Sequence, residues 1–234
     1  MPIDGFLPGN RLLAALPPEI LQQLAPELET VSIRNREVVQ PIGRPAEHVY
    51  FPQSGMGSIV IHMKSGLNIE AATIGNEGML GVSYVLGDAL ATEETMIQLP
   101  GEASRLRVRV LRAEFDRDER LRMLLLRYSQ LLTGQIAQGS GCNRAHPLEG
   151  RCARWLLSTH DRVAGDQFPL TQEFLAIMLG VRRAGVSVAQ HALQQDGLIQ
   201  YTRGQVTILD RAGLEEVSCE CYAVIRERFD QFFA

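Results

Sequence analysis

The stretch Leu170-Thr-Gln-Glu-Phe-Leu-Ala-Ile-Met-Leu-Gly-Val-Arg-Arg-Ala-Gly-Val-Ser-Val-Ala-Gln-His-Ala-Leu-Gln-Gln-Asp-Gly-Leu-Ile199 decides the fold. It holds two helical patterns with a glycine between them. Thr171 is placed to cap a first helix that runs through Leu179, because its hydroxyl can accept from an unpaired first-turn N–H. Gly180 supplies the left-handed backbone that a tight turn between helices needs, and Val181 is the apolar residue of that turn. A second helix follows from about Arg183 to Gln195. Val186, Ala189 and Leu193 form its apolar side at i, i+3 and i+7. Arg183, Ser187, His191 and Gln194 form the other at i, i+4, i+8 and i+11, with no acid among them. A small, polar, acid-free face with arginines at its start suits the DNA major groove and its flanking phosphates.

The residues that follow extend this reading. Leu198-Ile-Gln-Tyr, Thr202-Arg-Gly-Gln and Val206-Thr-Ile-Leu read as a β-hairpin with Arg203-Gly204 at its tip. A hairpin directly after such a helix makes a winged helix-turn-helix, in which Arg203 would touch phosphate. A winged helix that serves only protein interaction stays open as the alternative.

Upstream, a helix is expected from Pro147 to about Val163, with Leu148, Cys152, Trp155, Leu156 and Thr159 on its apolar side. Before it, Arg117–Gln138 contains no proline and a single glycine, Gly134. Leu121, Leu125, Tyr128, Leu132 and Gln135 fall there at a and d spacing, a stripe suited to a two-helix coiled coil. Two readings of that stripe are open: a dimer seam, which we prefer, or a helix packed on its own β domain. From about Val31 to Val110 the pattern is short and β-rich. Examples are Val49-Tyr-Phe, Ser58-Ile-Val-Ile-His, Ile69-Glu-Ala-Ala-Thr-Ile, Thr95-Met-Ile-Gln-Leu and the alternating Ser104–Val110. Gly and Pro punctuate these runs, which points to a sandwich or barrel. Residues 11–28 read as short helices.

The composition bounds the function. The chain has 234 residues, 45% of them hydrophobic, and a net charge of −4. Residues 1–143 hold 13 basic and 16 acidic side chains, residues 144–211 hold 8 arginines and 6 acids, and residues 212–234 hold 2 and 5. The one net-positive segment contains the helix-turn-helix, and local charge matters more than the total. No secretory signal is expected from Met1-Pro-Ile-Asp4, and no apolar run reaches the roughly 18 residues of a membrane span, so a cytoplasmic location is expected. No nucleophile–base pair, phosphate-binding loop or dinucleotide fingerprint is visible, and the chain is not expected to be an enzyme. Cys142, Cys152, Cys219 and Cys221 form no Cys-x2-Cys pair. Cys219 and Cys221 would point about 200° apart on a helix. All four are therefore read as ordinary reduced cysteines, with no metal and no cofactor expected.

Here the sequence resembles the Crp/Fnr family of transcription regulators. The resemblance rests on Leu170-Thr-Gln-Glu-x4-Met-Leu-Gly-Val-x-Arg through Leu193-x4-Leu-Ile, which aligns without gaps, and on Arg144-x-His-Pro-Leu-Glu-Gly-Arg-Cys-Ala-Arg-Trp-Leu-Leu before it. It implies an α+β chain with three parts. Residues 1–115 would be a cyclic-nucleotide-binding-like β-roll, a double-stranded β-helix that senses an effector. Residues 116–142 would be a long dimerisation helix, and residues 143–234 a winged helix-turn-helix with a C-terminal helix. It implies a homodimer on a two-fold symmetric duplex DNA site, with Thr171, Gln172, Arg182, Arg183, Ala184, Ser187, Val188, His191 and Arg203 at the DNA. RNA polymerase and a small effector stand as further candidate partners, and no membrane is expected. Two departures matter. Where the best-known branch presents Arg, Glu and a second Arg, this chain has Arg183, Ala184 and Val188, so its operator should differ. Where the cyclic-nucleotide site needs a glutamate for the ribose and an arginine for the phosphate, this chain has Val82 and Glu93, with Glu94 beside it. Only backbone amides near Gly78 and Gly81 remain to hold a phosphate, so a degenerate pocket that binds no cyclic nucleotide is expected.

Overall fold

A computed structural model describes residues 9–87 and 90–234; the reading of Met1–Asp4 lies outside them. The N-terminal apolar spacing yields two short helices, α1 (Arg11–Ala14) and α2 (Pro18–Leu24), which bury Leu12, Leu13, Ile20 and Leu24. The β-rich stretch becomes strands β1 (Glu29–Ile33), β2 (Val38–Gln40), β3 (His48–Pro52), β4 (Met56–His62) and β5 (Asn68–Ile74), a short helix α3 (Val82–Leu86), then β6 (Glu94–Leu99) and β7 (Gly101–Arg107). They form two sheets, ordered β1-β7-β3 and β2-β6-β4-β5. Strand β7 runs antiparallel to both neighbours, opposing Val31 to Ala103 and Tyr50 to Arg105. Inward residues such as Ile33, Val49, Phe51, Ile97, Leu99 and Leu106 are buried, as a strand period of two requires. This is the β-roll expected from the sequence.

The strand expected over Ser104–Val110 ends early. At Val108 the chain enters α4 (Val108–Arg117), with Arg107 extended as its N-cap. Asp118 then interrupts the helical run with extended backbone. Its Oδ1 accepts from the N–H groups of Arg120 (2.8 Å) and Leu121 (3.1 Å), so it caps the long helix α5 (Glu119–Ala145).

The stripe expected at a dimer seam lies elsewhere than on a free surface. Leu121, Leu125, Tyr128, Leu132 and Gln135 are all buried within the single chain. Tyr128 shows why: its hydroxyl accepts from Met79 N–H at 3.0 Å and donates to Met79 C=O at 3.1 Å. The helix packs on its own β domain, the other of the two readings left open by the sequence. A second heptad remains outside. Met123 and Leu126 are 50% and 43% exposed, and Gln130, Thr133 and Ala137 continue the same row at 3-4 spacing, all exposed.

The rest of the chain comprises α6 (Leu148–His160), β8 (Gln167–Pro169), α7 (Gln172–Leu179), α8 (Arg183–Gln195), β9 (Ile199–Thr202), β10 (Gln205–Ile208), α9 (Arg211–Val217) and α10 (Cys221–Phe233). A third sheet has the order β8-β10-β9. The chain divides into two compact units. One takes residues up to 59, Thr73–Thr133 and Gln231–Ala234, and the other takes Val60–Ala72 and Gly134–Asp230. Among the described residues no helix is long and apolar enough to cross a membrane.

The cysteines also require a correction. Cys219 and Cys221 do not share a helix, because Ser218 is extended (φ −65°, ψ 151°) and Cys219 precedes α10. Their thiols converge with Cys142 and His146, all four ligand atoms lying within 4.8 Å of one another.

Candidate DNA-binding surface

The helix-turn-helix is built from local signals that each do one job. Thr171 Oγ1 accepts from Phe174 N–H at 3.2 Å and starts α7. Gly180 ends it in the left-handed region (φ 63°), which brings its own N–H to Ile177 C=O and that of Val181 to Ala176 C=O. Arg182 is the extended N-cap of α8. Val186, Ala189 and Leu193 are buried beneath α8.

One contact from α6 reaches this motif directly, and another ties α6 to β5. The Arg151 side chain is buried and donates to Asn143 Oδ1 at 2.9 Å and to Leu179 C=O. A cation thus sits on the C-terminal carbonyls of α7, where the helix dipole favours it. Burial pulls Arg151 below the usual guanidinium value, and its charge persists because that value is so high. On the same helix, Trp155 Nε1–H donates to Glu70 Oε1 of β5 at 3.0 Å.

The outward face of α8 carries Arg183, Ala184, Ser187, Val188 and His191, all exposed. Val188 is 71% exposed, an apolar side chain that the fold leaves uncovered. Arg183 leans back onto the first turn of α7: its NH1 lies 2.8 Å from Glu173 Oε1, and its Nε donates to Gln172 Oε1 at 3.4 Å. Both members of that ion pair are more than half exposed, so the pair is weak and a stronger anion can displace it. Gln172 also donates to Gln190 Oε1 at 3.1 Å. Gln194 does not belong to the outward face, because its Oε1 accepts from Tyr201 N–H at 2.8 Å and ties α8 to the wing. Gln195, missed by the helical count, is exposed next to it. Glu173 was missed too, since its role depends on a pairing across the turn that spacing does not reveal.

The wing turns at Arg203 and Gly204, with φ values of 50° and 78°. Positive φ at both central residues is the signature of a type I′ turn, whose twist matches the flanking strands. Arg203 is exposed at this tip, and Gly204 C=O accepts from Leu170 N–H at 2.8 Å, joining the wing to the start of α7.

The residues of the degenerate ligand pocket occupy the β-roll. Gly81 (φ 91°) opens α3, and Val82 is buried as its first residue. The nearby backbone is occupied by the protein itself. Gly75 N–H donates to Glu77 Oε1 at 3.0 Å, Met79 N–H to Tyr128, and Leu80 N–H to Tyr50 C=O at 2.8 Å. Gly78 N–H donates to Gly75 C=O, and Gly78 C=O accepts from Asn10 Nδ2 at 2.8 Å. Glu93 accepts from the Thr92 hydroxyl and, with Glu94, is half-buried.

Residues 150–217 match the family model of the Crp-like helix-turn-helix domain. Comparison with curated proteins finds no match. Among solved structures, the chain is similar to FixK2 from Bradyrhizobium japonicum, at 16% identity and a TM-score of 0.70, covering 82% of this chain and 98% of that one. It is similar to TTHA1359, a CRP/FNR-family transcriptional regulator from Thermus thermophilus, at 19% and 0.66, covering 81% and 98%. It is also similar to TTHB099, a CRP-family regulator from the same organism, at 20% and 0.65, covering 80% and 96%. Residues 150–217 thus carry a Crp-like helix-turn-helix domain, and the chain shares the fold of these solved structures.

Proposed function

We propose that the protein is a homodimeric regulator that sets α8 of each copy into the major groove of a two-fold symmetric site. The exposed, acid-free face of α8 carries this reading. Arg183 is suited to a bidentate contact with guanine, and Val188, five residues on, to a thymine methyl. Arg203, at the end of the wing, is suited to phosphate. Recovery of genomic fragments bound by the purified protein tests the reading. A shared two-fold symmetric motif is expected, and the absence of any enriched sequence would overturn it.

Two substitutions separate the roles. Arg183→Ala should relax preference at one base pair per half-site, at about 1–3 kcal/mol of discrimination. Arg203→Ala should weaken all sequences alike and lower the salt slope by roughly one unit for each phosphate that goes unneutralised in each subunit. Identical specificity profiles in the two variants would show that these roles are misassigned.

The β-roll is read as binding no cyclic nucleotide. A buried cyclic phosphate needs a paired cation or several free donors. The segment Ala91-Thr-Glu-Glu-Thr-Met-Ile97 offers two carboxylates and no cation, and the amides near Gly78 already have acceptors within the chain. Calorimetry with cyclic AMP and cyclic GMP should show no saturable heat; binding tighter than about 10 μM, or roughly 7 kcal/mol, would contradict the reading.

A further inference from the structure

We propose that Cys142, His146, Cys219 and Cys221 form a closed site for one zinc ion, which clamps the C-terminal end of α5 to the start of α10. The four come together by construction. Cys142 lies in the last turn of α5, and His146 follows directly on its end, its N–H donating to Cys142 C=O at 3.1 Å, which sets the two side chains one turn apart. Cys219 lies in the extended link after α9, and Cys221 opens α10. The Sγ atoms of Cys142 and Cys219 are 3.4 Å apart, and Cys221 Sγ is 3.6 Å from His146 Nδ1. All four ligand atoms fall within 4.8 Å of one another. A tetrahedral zinc with Zn–S bonds of about 2.3 Å sets its sulfurs about 3.8 Å apart, so small side-chain shifts complete the polyhedron. The thiols are free cysteines, well beyond the disulfide bond length of about 2.05 Å.

The donor set selects the ion. Three thiolates and an imidazole in tetrahedral array are a zinc set. An iron–sulfur cluster spreads its ligands over several irons and needs them farther apart than this. The surroundings also fit a metal. His146 Nε2 lies 3.0 Å from Glu220 Oε1, the outer carboxylate that orients a ligating imidazole and leaves Nδ1 for the ion. Gln138 Nε2–H donates to Cys221 Sγ at 3.1 Å, a partner for a thiolate. The three cysteines are buried, and four protein ligands leave no open position, which makes the site structural. Cys152 stands apart: burial pushes its thiol up to about 12, and it belongs to no ligand group. Cys142 and Cys219 bracket α6 through α9, so the clamp would fasten together the two ends of the DNA-binding segment.

The test uses the full chain, purified without a histidine tag. Elemental analysis after equilibration with zinc and removal of the excess should give one zinc per chain. Cobalt(II) added to metal-stripped protein should give thiolate-to-cobalt charge transfer and the intense visible bands of a tetrahedral ion. Cys142→Ser should abolish stoichiometric zinc, Cys152→Ala should keep it, and Glu220→Ala should weaken zinc affinity about 10- to 100-fold. Iron with sulfide, zinc well below one per chain, an octahedral cobalt spectrum, or equal zinc affinity in Cys142→Ser and Cys152→Ala would each overturn the proposal. The cobalt spectrum of the unaltered chain decides even if a variant fails to fold.

Discussion

Glutamate at both Met123 and Leu126 should leave the chain folded and monomeric, and should weaken its binding to a two-half-site operator by about 10²- to 10⁴-fold, the factor a second linked contact supplies. Met123, Leu126, Gln130, Thr133 and Ala137 form a heptad row on the outside of α5, the seam a second copy would cover in the homodimer proposed above. Both substituted side chains are already about half in water, so a charge there costs the monomer little. Across a seam, the same charges would meet their like from the partner and lose their hydration. Leu125→Glu is the contrasting case. Leu125 is buried in the chain, and an unpaired buried carboxylate should cost more than about 4 kcal/mol and unfold the β-roll unit. Light scattering with circular dichroism reads both results. A dimeric Met123→Glu/Leu126→Glu protein, or a folded monomeric Leu125→Glu protein, would move the seam back to the inner stripe.

The two stripes explain what could be read from the residues alone and what could not. Leu121 and Met123 are two residues apart, about 200° of helix, so heptads beginning at each lie nearly back to back. Periodicity identifies both and says nothing about which covering each face receives. By composition the richer stripe, with three leucines and a tyrosine, reads as the seam. The structure gives it to the chain's own core, where burial is permanent, and leaves the poorer one of Met, Leu, Gln, Thr and Ala outside. The helix-turn-helix was legible because its signals are local: the cap at Thr171, the left-handed Gly180, the apolar set under α8 and the turn at Arg203-Gly204 each act within a few residues. The bounds of α8 and the wing followed from them. Strand β8 was not legible, since three residues carry no period. The ligand cluster was not legible either, because Cys142 and Cys219 are 77 residues apart and the convergence of Cys219 with Cys221 depends on extended backbone at Ser218. Nor does the sequence show that the amides near Gly78 are already taken, because Tyr128, which takes one, is on a helix 49 residues away.

That tyrosine also gives a large stability effect within the β-roll unit. A Cβ added at Gly78 would lie 2.3 Å from Tyr128 Oη, 2.8 Å from Cζ and 2.9 Å from Cε2, closer than atoms can approach. Gly78 carries no positive φ, so the obstacle is the ring and not the backbone. Tyr128 is 1% exposed and packed on a helix that cannot move freely, and interiors this dense do not absorb such an overlap. Gly78→Ala should therefore displace the ring, break both hydrogen bonds to Met79 and strand a buried N–H. Overpacking alone costs about 1–3 kcal/mol, and the stranded donor about 1–3 kcal/mol more. Tyr128→Phe removes the hydroxyl without the overlap and should cost only the second part. Denaturant midpoints for Gly78→Ala, Tyr128→Ala and the double variant complete a cycle. Once the ring is gone, alanine at position 78 has room, and its cost should fall to a fraction of its value in the unaltered chain. An unchanged cost in that background would mean that Gly78 is required for some reason other than the close approach of Tyr128.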